Sequence, residues 1–213
     1  MARTRSKPSP STYRSPLRAR QAEQTRRSVL DAAARLFSTV GWAATTLTSV
    51  AAEAGTAVET VYAGFGSKSG LLTATIDAAL VGDDAPIPLA ERPEFKQLAH
   101  GGQPERLRAA ARVVAVVHER SVPLLRALHE AAASDPSCAR RWEKYEADRR
   151  IEIRRGLTLV VQRQVVASLV DAVWAISSPE VFAKLVLDRG WSRRRYESWL
   201  VATVAAMLDS ELG

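Results

Sequence analysis

Two short runs of helix-forming residues meet at a single glycine, Gly55, and that corner limits what this chain can fold into. Residues 46–54 on one side and 56–65 on the other are each too short to bury a core alone. Glycine takes the left-handed backbone that a tight corner needs, where a Cβ would be penalised. Ala51 and Ala54 are small enough for close helix approach, and Val50, Val61 and Phe65 fall where a shared core would lie. Two helices joined by a short glycine-containing turn make a helix-turn-helix, whose second helix is suited to the DNA major groove.

The flanking sequence supplies two more helices. Val29, Ala32, Ala33, Leu36, Phe37 and Val40 recur at i, i+3, i+4, i+7, i+8 and i+11, one apolar stripe that stops at Gly41. After the corner, Ser67 is placed to cap a helix carrying Leu71, Leu72 and Ile76 and ending near Val81. Lys68 falls in the first turn of that helix, where a cation opposes the helix dipole. An anion is therefore expected beside it, and a DNA phosphate is the obvious one. Thr56 and Glu59 have capping-box spacing, with Thr56 as N-cap and Glu59 at N3.

Leu36-Phe37, Gly41, Thr45-Thr46, Val50-Ala51, Ala54-Gly55, Thr60-Val61-Tyr62, Phe65, Lys68 and Leu71-Leu72 together resemble the DNA-binding domain of the tetracycline-repressor (TetR) family of bacterial transcriptional regulators. The resemblance spans about fifty residues without a gap. It implies phosphate contacts from Thr45, Thr46 and Thr48, from Thr60 and Tyr62 on the recognition helix, and from Lys68. Hydroxyls and helix N-termini suit that role, since they bind phosphate oxygens whatever the base sequence. Thr46 also reads as an ordinary N-cap, and Tyr62 as a half-buried core aromatic. Ala57, Val58 and Glu59 stand nearest the base edges, and with Thr56, also among the expected DNA contacts, they depart from the commoner family pattern. Val58 can touch a thymine methyl and Glu59 can accept from cytosine N4, or Glu59 can simply close its capping box.

Charge is distributed unevenly. Of 30 cations and 23 acids, residues 1–27 hold eight cations and one acid, so the net +7 lies there and the remainder balances. Residues 1–21 read as a flexible basic arm, either a solubilising tail or a DNA-tracking segment, with a transit peptide as a further option. Arg26 and Arg27, close behind it, join the expected DNA contacts. One cysteine, Cys138, leaves no intramolecular disulfide framework, and no run of apolar residues is long enough to span a membrane. A cytoplasmic protein is expected.

Residues 83–104, punctuated by Pro and Gly, read as a connection. Helical patterning resumes at Glu105, is expected to break or kink at Pro123, and stops at Asp135-Pro136. The segment 137–155 is heavily charged with both signs interspersed, which indicates a solvated, ion-paired face. Residues 164–177 are apolar nearly all round, and the final helix, 192–212, carries a stripe with Trp199, Leu200, Val204 and Met207. Together with Val166, Leu169, Val170 and Val173 these suggest a four-helix interface between two copies, the arrangement the resemblance also implies. The resemblance implies an effector cavity as well. His118, His129, Trp142, Tyr145 and Trp174 are its candidate lining, although aromatics at helical spacing are more often core.

No histidine has a metal-ligand partner at useful spacing, and no nucleophile–base pair, phosphate-cradling loop or paired-carboxylate centre is present. Neither an enzyme nor a cofactor or metal is expected. The sequence thus predicts an all-α protein: an arm at 1–21, a helix-turn-helix domain at 22–82, a connection at 83–104 and a helical regulatory and dimerisation domain at 105–213. Its expected partners are a double-stranded DNA operator, a second copy of itself and a small, mostly apolar effector that releases a repressor from DNA. The alternatives are an effector-independent DNA binder or activator, and a small-molecule-binding protein with weak DNA specificity.

Overall fold

The structure, a computed structural model, describes residues 16–82 and 97–210. Every regular element among them is helical. The first half contains α1 (Pro16–Ala44), α2 (Leu47–Glu53), α3 (Val58–Phe65) and α4 (Lys68–Val81). A 3-10 turn at Gln97–Ala99 leads to α5 (Gln103–Ala132), α6 (Pro136–Val161), α7 (Ala167–Ile176), α8 (Pro179–Phe182, continued by a π turn at Ala183–Asp188) and α9 (Arg193–Ser210).

The first apolar stripe ends where glycine ends it. Gly41 breaks α1 with φ 77° and ψ −175°, a conformation open essentially to glycine alone. α2 starts at the N-cap Thr46, whose Oγ1 accepts from Ser49 N while Ser49 Oγ accepts from Thr46 N, each at 3.0 Å. This capping box is the reciprocal kind expected at Thr56 and Glu59, but one helix earlier. At α3 the N-cap is Ala57, with no side-chain cap bond, and Glu59 stands at N2. Thr56 is instead tied back to α2, its N–H donating to Ala51 O at 3.0 Å. Gly55 adopts φ 65° at the corner, and Ser67 caps α4 by accepting from Gly70 N.

Three expectations about helix limits change. α1 begins at Pro16, so residues 16–21 of the expected arm are helical; residues 1–15 lie outside the described residues. Proline at a helix start loses no hydrogen bond. α5 runs unbroken through Pro123, with Val122, Leu124 and Leu125 buried on either side of it, so tertiary packing outweighs the local penalty. α6 continues to Val161, a turn and a half beyond the expected end. The expected connection is described only from Gln97; its residues 83–96 lie outside the described residues.

Two apolar cores result, and both rest on α5. Val29, Ala33, Phe37, Val50, Val61, Leu72 and Ile76 of α1–α4 pack with Leu124, Leu125 and Leu128 from the end of α5. Leu107, Ala111 and Ala115 from its beginning pack with Leu157, Val170, Phe182, Tyr196 and Leu200. The helix-turn-helix domain is therefore seated on the same rod that carries the second half.

That arrangement decides where the expected dimer residues lie. Leu169, Val170, Val173, Leu200 and Val204 are buried in the chain's own second core, so they are not available to a partner. The apolar stripes of α7 and α9 are covered from within. Val166 is exposed, while Trp199 and Met207 are half-buried at the edge of the core.

Candidate nucleic-acid interface and internal cavity

α3 buries Val61 completely and leans Val58 and Phe65 on the first core, which turns its opposite side outward. Ala57, Glu59, Thr60, Tyr62, Ala63 and Gly64 are exposed there. Tyr62 keeps 55% of its surface accessible, so it is an outward aromatic and not a core one. Glu59 closes no capping box, which leaves its carboxylate directed to solvent beside the expected base edges. Thr46 and Thr48 are exposed at the start of α2, and Thr56 is half-buried at the corner.

Two residues of the expected phosphate contacts have partners within the chain. Thr45 is 1% exposed and its hydroxyl donates to Gly41 O at 2.8 Å, closing the kink at the end of α1. Lys68 lays its ammonium over the Trp42 ring, 4.2 Å from the centroid. Partial burial pushes its pKa down, opposed by the Glu130 carboxylate of α5. The same carboxylate accepts from Trp42 N at 3.2 Å and Ala43 N at 3.4 Å. Sequence reading missed Glu130, since it lies 88 positions from Trp42 and carries no local signal.

Basic residues flank the outward face. Arg26 is exposed on α1 with its guanidinium 4.8 Å over the Phe65 ring, at the end of the recognition helix. Arg27 is exposed and lies 3.8 Å from Glu23. Arg18 and Arg20 are exposed on the preceding turns, now as part of a helix.

A cavity of about 350 Å³ lies between α5 and α6, its wall shared by Leu80 and Val81 of α4, Leu98, Val173 of α7, Ser177 just beyond it, and Leu200 and Val204 of α9. Of the expected lining, His118 and Tyr145 are in its wall. His129, Trp142 and Trp174 are not. His129 and Trp142 pack against each other beside the first core, rings 4.9 Å apart, and Trp174 lies under the Arg149 guanidinium at 4.8 Å. Sequence reading missed Arg149 as lining because α6 read as a solvated face. Ion pairs do run along α6, but the pair Arg149–Glu146 (2.9 Å) is turned inward, its side chains only 9% and 20% exposed. Burial holds the His118 imidazole neutral, its pKa lowered to about 3, with the nearby Arg149 charge adding to the effect. Among the described residues no cluster of His, Cys, Asp and Glu could hold a metal ion.

An outward second helix on a glycine corner, carried by an all-α body with a cavity beside it, defines the class: a helix-turn-helix protein. Residues 29–75 match the family described as bacterial regulatory proteins, tetR family. That match lies within α1–α4, the helix-turn-helix domain. No curated protein sequence matches it. Its fold is similar to a crystal structure assigned to the TetR family from Mesorhizobium loti, at 20% identity and a TM-score of 0.68, covering 89% of this chain and 98% of that one. A TetR-family member from Streptomyces coelicolor aligns at 19% identity and TM-score 0.57, over 84% and 96% of the two chains. A transcriptional regulator from Rhodococcus sp. aligns at 14% identity and TM-score 0.60, over 89% and 96%.

Proposed function

We propose that this DNA-binding regulator acts as a homodimeric repressor on a near-palindromic operator and is released when a small, mostly apolar molecule enters the cavity between α5 and α6. The observation that carries the reading is the outward face of α3, where Glu59, Thr60 and Tyr62 are exposed while Val61 anchors the helix from behind. Thr46, Thr48, Thr60 and Tyr62 supply phosphate contacts, Ala57, Val58 and Glu59 meet base edges, and Arg26 and Arg27 reach the flanking backbone. Two copies joined along Val166, Trp199 and Met207 would present two such helices roughly 34–36 Å apart, or a multiple of that. No described helix is long and apolar enough to cross a membrane, in keeping with a cytoplasmic protein.

Release requires that the effector prefer the form unable to bind DNA, since equal affinity for both shifts nothing. The cavity is placed for this: Leu80 and Val81 of α4 are part of its wall, and α4 packs directly on the helix-turn-helix.

Selection of DNA from a random pool by the purified chain tests the reading. Enrichment of a two-fold symmetric sequence is expected. Tyr62→Ala should weaken binding to all selected sequences alike, whereas Glu59→Ala should change the preference at one position by about 1–3 kcal/mol. Enrichment of no palindrome would refute the operator-binding dimer.

A further inference from the structure

The cavity wall contains charged side chains, yet each already has a partner of opposite sign. Arg141 pairs with Asp77 at 2.6 Å, Asp148 with Lys144 at 2.7 Å, Arg149 with Glu146 at 2.9 Å and Glu152 with Arg155 at 2.6 Å. A charged molecule entering here would leave water without finding a free counter-charge, so its desolvation would go uncompensated. The rest of the wall is chiefly aliphatic, from Leu80, Leu107, Val114, Val160 and Leu200. A volume of about 350 Å³ falls at the small end of ligand pockets.

One lining group is polar, fully enclosed and unsatisfied. His118 is 4% exposed, and its Nδ1 has no hydrogen-bond partner. Two further atoms on lining residues are buried without partners, Arg149 Nε and Glu152 Oε2. They are one donor and one acceptor, on groups of opposite charge, and so select no net charge. His118 is different in kind, because its imidazole is neutral and a buried polar atom left unpaired is costly. A neutral imidazole nitrogen either donates or accepts according to its tautomer, and a hydroxyl answers both.

We propose that the cavity takes an uncharged, largely apolar molecule bearing one hydroxyl group, which hydrogen-bonds to the imidazole of His118. The proposal rests on reading this cavity as the effector site and names the chemistry of its occupant. The apolar body fills the aliphatic wall, and the single hydroxyl supplies the partner that the fold withholds from His118.

The probe for the test is N-phenyl-1-naphthylamine, a neutral dye that fluoresces in apolar surroundings, titrated into the full chain at pH 7.5. A saturable signal is expected, followed by displacement with biphenyl, 4-phenylphenol and biphenyl-4-carboxylate. The phenol should displace the dye at about tenfold lower concentration than biphenyl, the ratio one added hydrogen bond supplies. The carboxylate should be the weakest of the three. In His118→Phe the phenol's advantage should vanish while biphenyl competes as before; in His118→Gln, which keeps a polar group, part of the advantage should remain. A carboxylate that matches the phenol, a phenol advantage that survives His118→Phe, or no saturable dye binding would each overturn the proposal. The three-ligand comparison on the unmodified chain carries the test if a variant fails to fold. DNA binding is measured on the same preparations. Intact DNA binding without dye binding would overturn the cavity proposal alone. The expected displacement pattern without selected DNA would uphold it and overturn the repressor reading alone.

Discussion

A Cβ added at Gly41 would meet two obstacles, and one added at Gly55 only one. At Gly55 the φ of 65° disfavours any L side chain, but nothing lies within 4 Å of the added atom. Gly55→Ala should therefore lower the unfolding free energy by about 1–2 kcal/mol, the left-handed penalty alone. At Gly41 the φ of 77° with ψ −175° admits essentially only glycine, and the new Cβ would stand 3.1 Å from Glu130 Oε2. Gly41→Ala should lose about 3 kcal/mol or more, because it also disturbs the carboxylate that holds Trp42 N and Ala43 N. Urea unfolding of the two variants checks this ordering; equal losses would refute it. Both glycines were legible in the sequence, since a positive φ selects its own residue type. The neighbouring threonines were not. Thr45 and Thr46 are chemically identical, and only the kink at Gly41 turns the first inward and leaves the second as an exposed cap.

The recognition helix shows where patterning stops being informative at the scale of an element. α3 is readable from Val61 and Phe65, but the capping-box spacing of Thr56 and Glu59 places its N-cap one residue early. Chain geometry overrides that spacing by tying Thr56 N to Ala51 O and passing the N-cap to Ala57, whose methyl caps nothing. Ala57→Ser should therefore stabilise the protein by about 1 kcal/mol, since a hydroxyl would satisfy an amide at the start of α3. Thr56→Ala should lose no cap. Thermal unfolding of the two variants separates the assignments: stabilisation by the first places the cap at 57, and a clear loss in the second would return it to 56. α5 teaches the same lesson. Pro123 signals a break locally, whereas the burial of Val122, Leu124 and Leu125 that keeps the helix whole comes from partners distant in sequence. Likewise the stripes of α7 and α9 were correctly seen as apolar, but a stripe does not say whether its cover comes from the same chain or another.

At the scale of the molecule, α5 joins the two cores, and its middle carries His118 against Phe182, ring centroids 5.4 Å apart. The enclosure that leaves this imidazole free for a ligand also makes folding sensitive to acid. In the folded chain its pKa is lowered to about 3, first by burial and then by the Arg149 charge, against 6.5 when unfolded. Between these values the unfolded state binds a proton that the folded state refuses. Stability therefore rises with pH across that window and falls as pH drops below about 6.5. Above it both states are neutral at this position and the contribution is flat. The slope from this one group approaches about 1.4 kcal/mol per pH unit once the unfolded imidazole is mostly protonated. Urea unfolding at pH 7.5, 6.0 and 5.0 measures it. His118→Phe should remove this component and flatten the profile relative to the unmodified chain, whose carboxylates titrate equally in both. Parallel profiles would mean that the imidazole already takes its proton in the folded state, and with it that His118 is not the enclosed neutral group the cavity geometry makes it.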